Sequence, residues 1–108
     1  MKTTDIIKQQ ITENPIILYM KGNPQFPMCG FSAAAVEALQ STGGEFAFVD
    51  VLEHPRIRQA LPEVSEWPTF PQLFVNGELV GGADIIKAMK ASGELNALLE
   101  TATPASAE

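Results

Sequence analysis

Residues 72–80 read Gln-Leu-Phe-Val-Asn-Gly-Glu-Leu-Val, two short apolar runs separated by Asn76-Gly77. Asn-Gly accepts the positive φ that both central residues of a two-residue hairpin turn require. The stretch is therefore committed to a pair of antiparallel strands, and a lone hairpin is not stable in water. Other strands must extend it and helices must cover it. Ile16 to Met20, Ile-Ile-Leu-Tyr-Met, has the length and branched content of a strand buried on both faces. Phe46, Phe48 and Val49 to Val51 supply another.

Helical stretches separate these runs. The first is expected to be capped by Thr3 or Thr4, to carry Ile6, Ile7 and Ile11 on one side, and to stop at Asn14-Pro15. Residues 21–28, with a glycine and two prolines, form a loop, and an alanine-rich helix follows from Gly30 to Leu39, ending near Gly43-Gly44. Pro55 sits at the first position of a third helix running to about Leu61. Trp67 to Pro71 is a proline-bracketed connection, and Asp84–Lys90 and Glu94–Glu100 are the last helices. The order begins with a βαβ unit and ends with the hairpin. Such a chain buries its apolar faces as a mixed four-stranded sheet flanked by helices on both faces, an α/β, thioredoxin-like fold. With 108 residues, 45% of them apolar, the expectation is one domain over 1–108 with a flexible tail at about 102–108.

Charge and composition exclude several functions. A net charge of −6 argues against nucleic acid and anionic membrane surfaces as partners, since both reward basic faces. No stretch approaches the roughly 18 to 20 apolar residues of a membrane helix. No apolar run follows Met1-Lys2-Thr3-Thr4-Asp5-Ile6, and one cysteine makes no internal disulfide, so a cytoplasmic location is expected. One cysteine and one histidine also argue against a metal site built from a single chain.

Cys29 follows a strand and a loop and directly precedes a helix. A lone cysteine is often a buried, inert packing residue. Here the helix N-terminus sets partial positive charge beside the sulfur, and Lys21 adds a full charge, so both favour the reactive thiolate. His54, before Pro55, matches no catalytic pairing, and Trp67 and Phe31 read as structural, with Phe31 shielding the cysteine.

Cys29-Gly30-Phe31-Ser32 forms a CGFS motif that resembles the active site of the monothiol glutaredoxins. The resemblance extends over roughly residues 15–100. Lys21-Gly22, the five-residue spacer Asn23 to Pro27, Trp67-Pro68-Thr69-Phe70-Pro71-Gln72, Asn76-Gly77-Glu78-Leu79-Val80-Gly81-Gly82 and Asp84-Ile85 match in order and spacing. It implies glutathione held against Cys29. Lys21 and Arg58 would pair with its glycine carboxylate. Phe70, before a cis Pro71, would present its backbone to the tripeptide. Gly82 and Ala83 would offer helix-end amides to the γ-glutamyl carboxylate, and Asp84 would take the amine. Gly30, Phe31, Ser32 and Pro71 would support the site. Singly, Lys21 also reads as a solvated loop charge, Asp84 as a helix cap and Pro71 as a rigid turn.

The resemblance further implies a role in iron–sulfur biogenesis. Where dithiol relatives carry a resolving cysteine this chain has Ser32, which closes the internal dithiol route. A [2Fe-2S] cluster needs four ligands, normally thiolates. Cys29 from each of two subunits plus two glutathione thiolates complete that set. The implied protein is a homodimer bridged by the cluster, handing it to iron-sulfur acceptor proteins, with a BolA-type protein as a possible replacement for one subunit. The alternatives are a glutathione-dependent oxidoreductase working through Cys29, and a docking module without thiol chemistry. Many family members have a cysteine where this chain has Ala83, so no disulfide between that position and Cys29 can form.

Overall fold

The computed structural model describes residues 2–102, which run through α1 (Thr3–Glu13), β1 (Ile16–Met20), α2 (Gly30–Gln40), β2 (Ala47–Asp50), α3 (Pro55–Ser65), β3 (Gln72–Val75), β4 (Glu78–Gly81), α4 (Ala83–Ser92) and α5 (Glu94–Glu100). The sheet order is β2-β1-β3-β4, with β1 parallel to β2 and antiparallel to β3, and β3 antiparallel to β4. This is the mixed four-stranded sheet expected from the sequence. Asn76 and Gly77 take φ of 53° and 82°, the positive values that turn the β3–β4 hairpin.

Side-chain alternation along β1 feeds two separate layers. Leu18 and Met20 join Val36 and Leu39 of α2, Ile86 of α4 and Leu95 of α5 on one face. Ile17 and Tyr19 join Ile7 and Ile11 of α1 and Ile57 and Leu61 of α3 on the other. β3 divides in the same way, with Leu73 and Val75 on the first face and Phe74 on the second. Period-2 geometry, with both faces covered, is why these strands read as unbroken apolar runs. Tyr19 is fully buried, meets Phe74 edge-on at 5.8 Å between ring centroids, and donates its hydroxyl to Gln10 Oε1 at 2.8 Å. Burial pushes its phenol far above the ordinary value.

Several boundaries differ from those expected. Neither threonine caps α1: Lys2 holds the N-cap position without a side-chain bond, and the Asp5 and Ile6 amides donate to its carbonyl at 3.0 and 3.1 Å. The first turn thus closes one residue early, and Asp5 meets the positive end of the helix. Helix α3 continues past Leu61 through Pro62 to Ser65. Proline removes one helical hydrogen bond, but Val64 extends the apolar face of Ile57 and Leu61 against the core and rewards the extra turn. Strand β2 is shorter than expected, with Phe46 and Val51 outside it. Ala102, placed with the flexible tail from sequence, is buried in the α2–α4–α5 layer, and Thr101 Oγ1 accepts a bond from Asn76 Nδ2 at 3.1 Å. The tail's remaining residues, 103–108, lie outside the described residues. Among the described residues, no helix is long and apolar enough to cross a membrane.

The two layers predict different mutational costs. Leu39→Ala leaves a cavity in a fully buried position and is expected to cost about 2–5 kcal/mol. Tyr19→Phe loses one hydrogen bond and is expected to cost about 0.5–1.5 kcal/mol. Urea unfolding checks both through the midpoint, with the slope unchanged.

Candidate functional site

The topology brings every candidate residue to one end of the sheet. β1, β2 and β4 end there, and β3, running the opposite way, begins there. The register pairs Tyr19 with Gln72, so the residues just after Tyr19 and just before Gln72 share a rim. That rim holds Lys21 from one chain direction and Phe70-Pro71, joined by a cis peptide bond, from the other.

Cys29 takes the N-cap position of α2 in extended backbone, φ −155° and ψ 138°, and is partly exposed. Its thiol is held below the ordinary range, chiefly by the Ser32 backbone N–H. Burial acts against this, while the Phe31 N–H, the Lys21 charge and the Ser32 hydroxyl add to it. A helix N-terminus that leaves amides free for the sulfur has the expected electrostatic effect. Ser32 is fully buried and its Oγ accepts the Lys21 N–H at 3.1 Å. The position three residues after the cysteine is therefore a hydroxyl tied to the start of the preceding loop.

That loop, 21–28, is closed on itself. The Met28 N–H donates to the Lys21 carbonyl at 2.9 Å, Gly22 and Pro27 form a bridge, and Asn23 Oδ1 accepts the Gln25 and Phe26 amides at 3.0 and 2.9 Å. Gly22 has φ +89°, and a Cβ there would stand 2.5 Å from the Phe26 carbonyl oxygen, so only glycine fits. The closed loop and the helix start hold Phe26, Met28 and Phe31 outward at 73%, 68% and 64% exposure. This corrects the structural role assigned to Phe31: α2 buries its opposite face through Ser32, Ala35 and Val36, leaving Phe31 on the solvent side.

Beside the thiol runs a groove of about 760 Å³. Its wall gathers Lys21, Cys29, Arg58, Phe70, Pro71, Gly82, Ala83 and Asp84, residues from five separate stretches of the sequence. Phe31 lines it as well, whereas Gly30 opens α2 next to the cysteine and Ser32 lies beneath the surface. Among the described residues neither Lys21 nor Arg58 has an ion-pair partner. Two cations against the single carboxylate of Asp84 make the groove locally positive in a chain of net charge −6. Gly82 is the N-cap of α4, and the amides that follow it are free at the groove.

A sequence model of the glutaredoxin family matches residues 16–80, the span from β1 to β4 that frames this groove. Glutaredoxin 4 of Pasteurella multocida is 62% identical over 99 residues, 92% of this chain and 91% of that protein. The chain belongs to the glutaredoxin family. Two solved glutaredoxins share its architecture. Reduced apo GrxS14 of poplar has 42% identity and a TM-score of 0.78 over 92% of this chain and 91% of its own. A monomeric truncated mutant of Trypanosoma brucei 1-C-Grx1 has 42% identity and a TM-score of 0.82 over 94% and 91%. The sheet and its two helical layers are thus the thioredoxin-type fold of glutaredoxins, and the single cysteine of this glutaredoxin makes it monothiol.

Sequence reasoning missed part of the wall and its supports. Pro62, Trp67 and Ile85 also line the groove. Trp67, read as a packed anchor, is half-buried with its Nε1 enclosed and unpartnered, so it serves as packing and as wall. Gln72 is fully buried, and its Nε2 donates to the Trp67 and Thr69 carbonyls at 2.8 and 3.1 Å, folding the 67–71 connection over the groove. Its signals were its place at the end of the matching Trp67–Gln72 segment and a polar residue opening an otherwise apolar buried strand.

The thiolate environment predicts a pH dependence. Alkylation of Cys29 by iodoacetamide should stay fast below the pH where an ordinary thiol slows, and be lost as pH falls through the lowered pKa. Lys21→Gln and Ser32→Ala should each move the midpoint upward, and neither should abolish the shift, because the Ser32 backbone N–H survives both changes.

Proposed function

We propose that this glutaredoxin is a carrier of [2Fe-2S] clusters, held across a homodimer by Cys29 and glutathione and passed to iron-sulfur acceptor proteins in the cytoplasm. The observation that carries the reading is a favoured thiolate at an open groove with no second thiol to resolve it. Ser32 occupies the resolving position, is fully buried and hydrogen-bonds the Lys21 amide. No group of three or more His, Cys, Asp or Glu side chains able to hold a metal occurs among the described residues. A cluster gripped at Cys29 would therefore need its other ligands from outside the chain, and a second subunit and two glutathione thiols satisfy that count.

The groove suits the tripeptide. Unpaired Lys21 and Arg58 can hold its glycine carboxylate by charge-assisted hydrogen bonds. The backbone of Phe70 offers strand-like pairing, the free amides at Gly82-Ala83 suit the γ-glutamyl carboxylate, and Asp84 the amine. Phe26, Met28 and Phe31 stand exposed around the thiol, the surface expected where another protein covers the site. A second copy, a BolA-type protein and an acceptor would take this face in turn. A cluster bound partly by a diffusible tripeptide is exchangeable, which suits cargo.

One observation favours a second reading, glutathione-dependent oxidoreduction. Cys29 is partly exposed and held toward the thiolate. The thiolate can attack the glutathionyl sulfur of a mixed disulfide, releasing the substrate thiolate, and a second glutathione thiolate then takes the glutathionyl group as glutathione disulfide.

Anaerobic reconstitution with iron and sulfide, with and without glutathione, distinguishes them by visible absorption and solution mass. A glutathione-dependent chromophore on a dimer, lost in Cys29→Ser, is the expected outcome. A colourless monomer in the presence of glutathione would refute the carrier reading and leave thiol exchange.

A further inference from the structure

Asp50 is the last residue of β2, only 9% exposed, and was not among the residues chosen from the sequence. It stands opposite Met20 in the parallel β1–β2 ladder, which ends with the Val51 N–H donating to the Met20 carbonyl at 2.9 Å. Beyond that point β2 turns away, and the next amide of the β1 side, Gly22, would lack a strand partner. Asp50 Oδ1 supplies one, accepting the Gly22 N–H at 3.0 Å in a buried bond and the Leu52 N–H at 2.9 Å. A buried carboxylate is costly unless its oxygens are well satisfied. Among the described residues no ion pair holds this one, and two backbone amides satisfy its buried Oδ1.

These bonds fall on both sides of Lys21. Its own N–H goes to Ser32 Oγ in α2, its carbonyl accepts Met28 N–H at the far end of the loop, and the following amide goes to Asp50. Gly22 admits no side chain, since a Cβ would lie 2.6 Å from Met28 N as well as against the Phe26 carbonyl. Three contacts thus pin the Lys21-Gly22 backbone at the point where it brings a cation to the wall that also holds Cys29. Without Asp50 the loop would keep its internal bonds but lose the hydrogen bond that ties Gly22 to the end of β2.

We propose that Asp50 is a positioning residue of the site, holding Lys21 in place beside Cys29 and the groove through the Gly22 amide. Its effect on glutathione rests on the reading of the groove given above; its effect on the thiol does not. The test is a double-mutant cycle with Lys21, read by glutathione calorimetry and by titration of the Cys29 thiolate absorbance. Asp50→Ala should weaken glutathione about tenfold, the value of one charge-assisted hydrogen bond. It should also raise the Cys29 midpoint, whereas loss of a nearby negative charge alone would lower it. Asp50→Asn, which keeps an oxygen acceptor for the Gly22 N–H, should hold glutathione near wild-type affinity and should not raise the Cys29 midpoint. In the Lys21→Ala background Asp50→Ala should add little.

A folded Asp50→Ala protein with wild-type affinity and midpoint would overturn the proposal, as would effects that simply add to those of Lys21→Ala. Should wild type bind no glutathione, the groove reading fails, and the thiol titration by itself decides the role of Asp50. Should Asp50→Ala fail to fold, amide exchange in the wild type decides. Slow exchange at the Gly22 and Leu52 amides in the wild type, kept in Asp50→Asn, supports the clamp, and rapid exchange there in the wild type refutes it.

Discussion

Strand β1 carries large side chains into both layers of the molecule, Leu18 and Met20 to one side and Ile17 and Tyr19 to the other, and this two-sided burial is what the remaining structure depends on. A strand with no solvent face must be covered twice, so α1 with α3 and α2 with α4 and α5 are both required. It must also be paired on both edges, by β2 and β3. The site is the exit from this buried strand: Lys21 follows Met20 directly, and the chain has to leave the sheet, close a loop and start α2 within nine residues, 21–29.

That exit explains the chemistry of the thiol. A helix beginning straight after the loop leaves amides for the sulfur, and Lys21 at the start of the loop adds its charge. Ser32 serves two functions. Its backbone favours the thiolate, while its hydroxyl takes the Lys21 amide and ties helix to loop. A thiol at this position would alter both the redox chemistry and the packing of the loop. The opposing wall is shaped by antiparallel β3, whose start brings Phe70-Pro71 to the same rim, and by the turn of β4 into α4.

Most of the elements could be read from the residues because local chemistry dictates them. Asn76-Gly77 specifies its turn, the Ile16–Met20 run specifies a strand, and Gly30 to Leu39 specifies a helix. Disagreements arose where distant burial overruled a local rule. Pro62 does not stop α3, because Val64 has a core to enter. Ala102 does not fray, because the α2–α4–α5 layer encloses it. Phe31 is not packed, because the buried face of α2 is used by its neighbours.

The candidate residues themselves were legible through the CGFS motif and the spacing around it, and nine of them line one groove. By itself the sequence determined a single nucleophile, Cys29, placed between strand and helix, and the absence of a thiol at Ser32. Those follow from residue identity and local order alone. Only the tertiary structure decided which cations line the groove, that Gln72 and Asp50 bond the backbone on its two sides, and that Phe26, Met28 and Phe31 stand outward together. Those properties depend on hydrogen bonds between residues as far apart as Gly22 and Asp50, which no local pattern encodes.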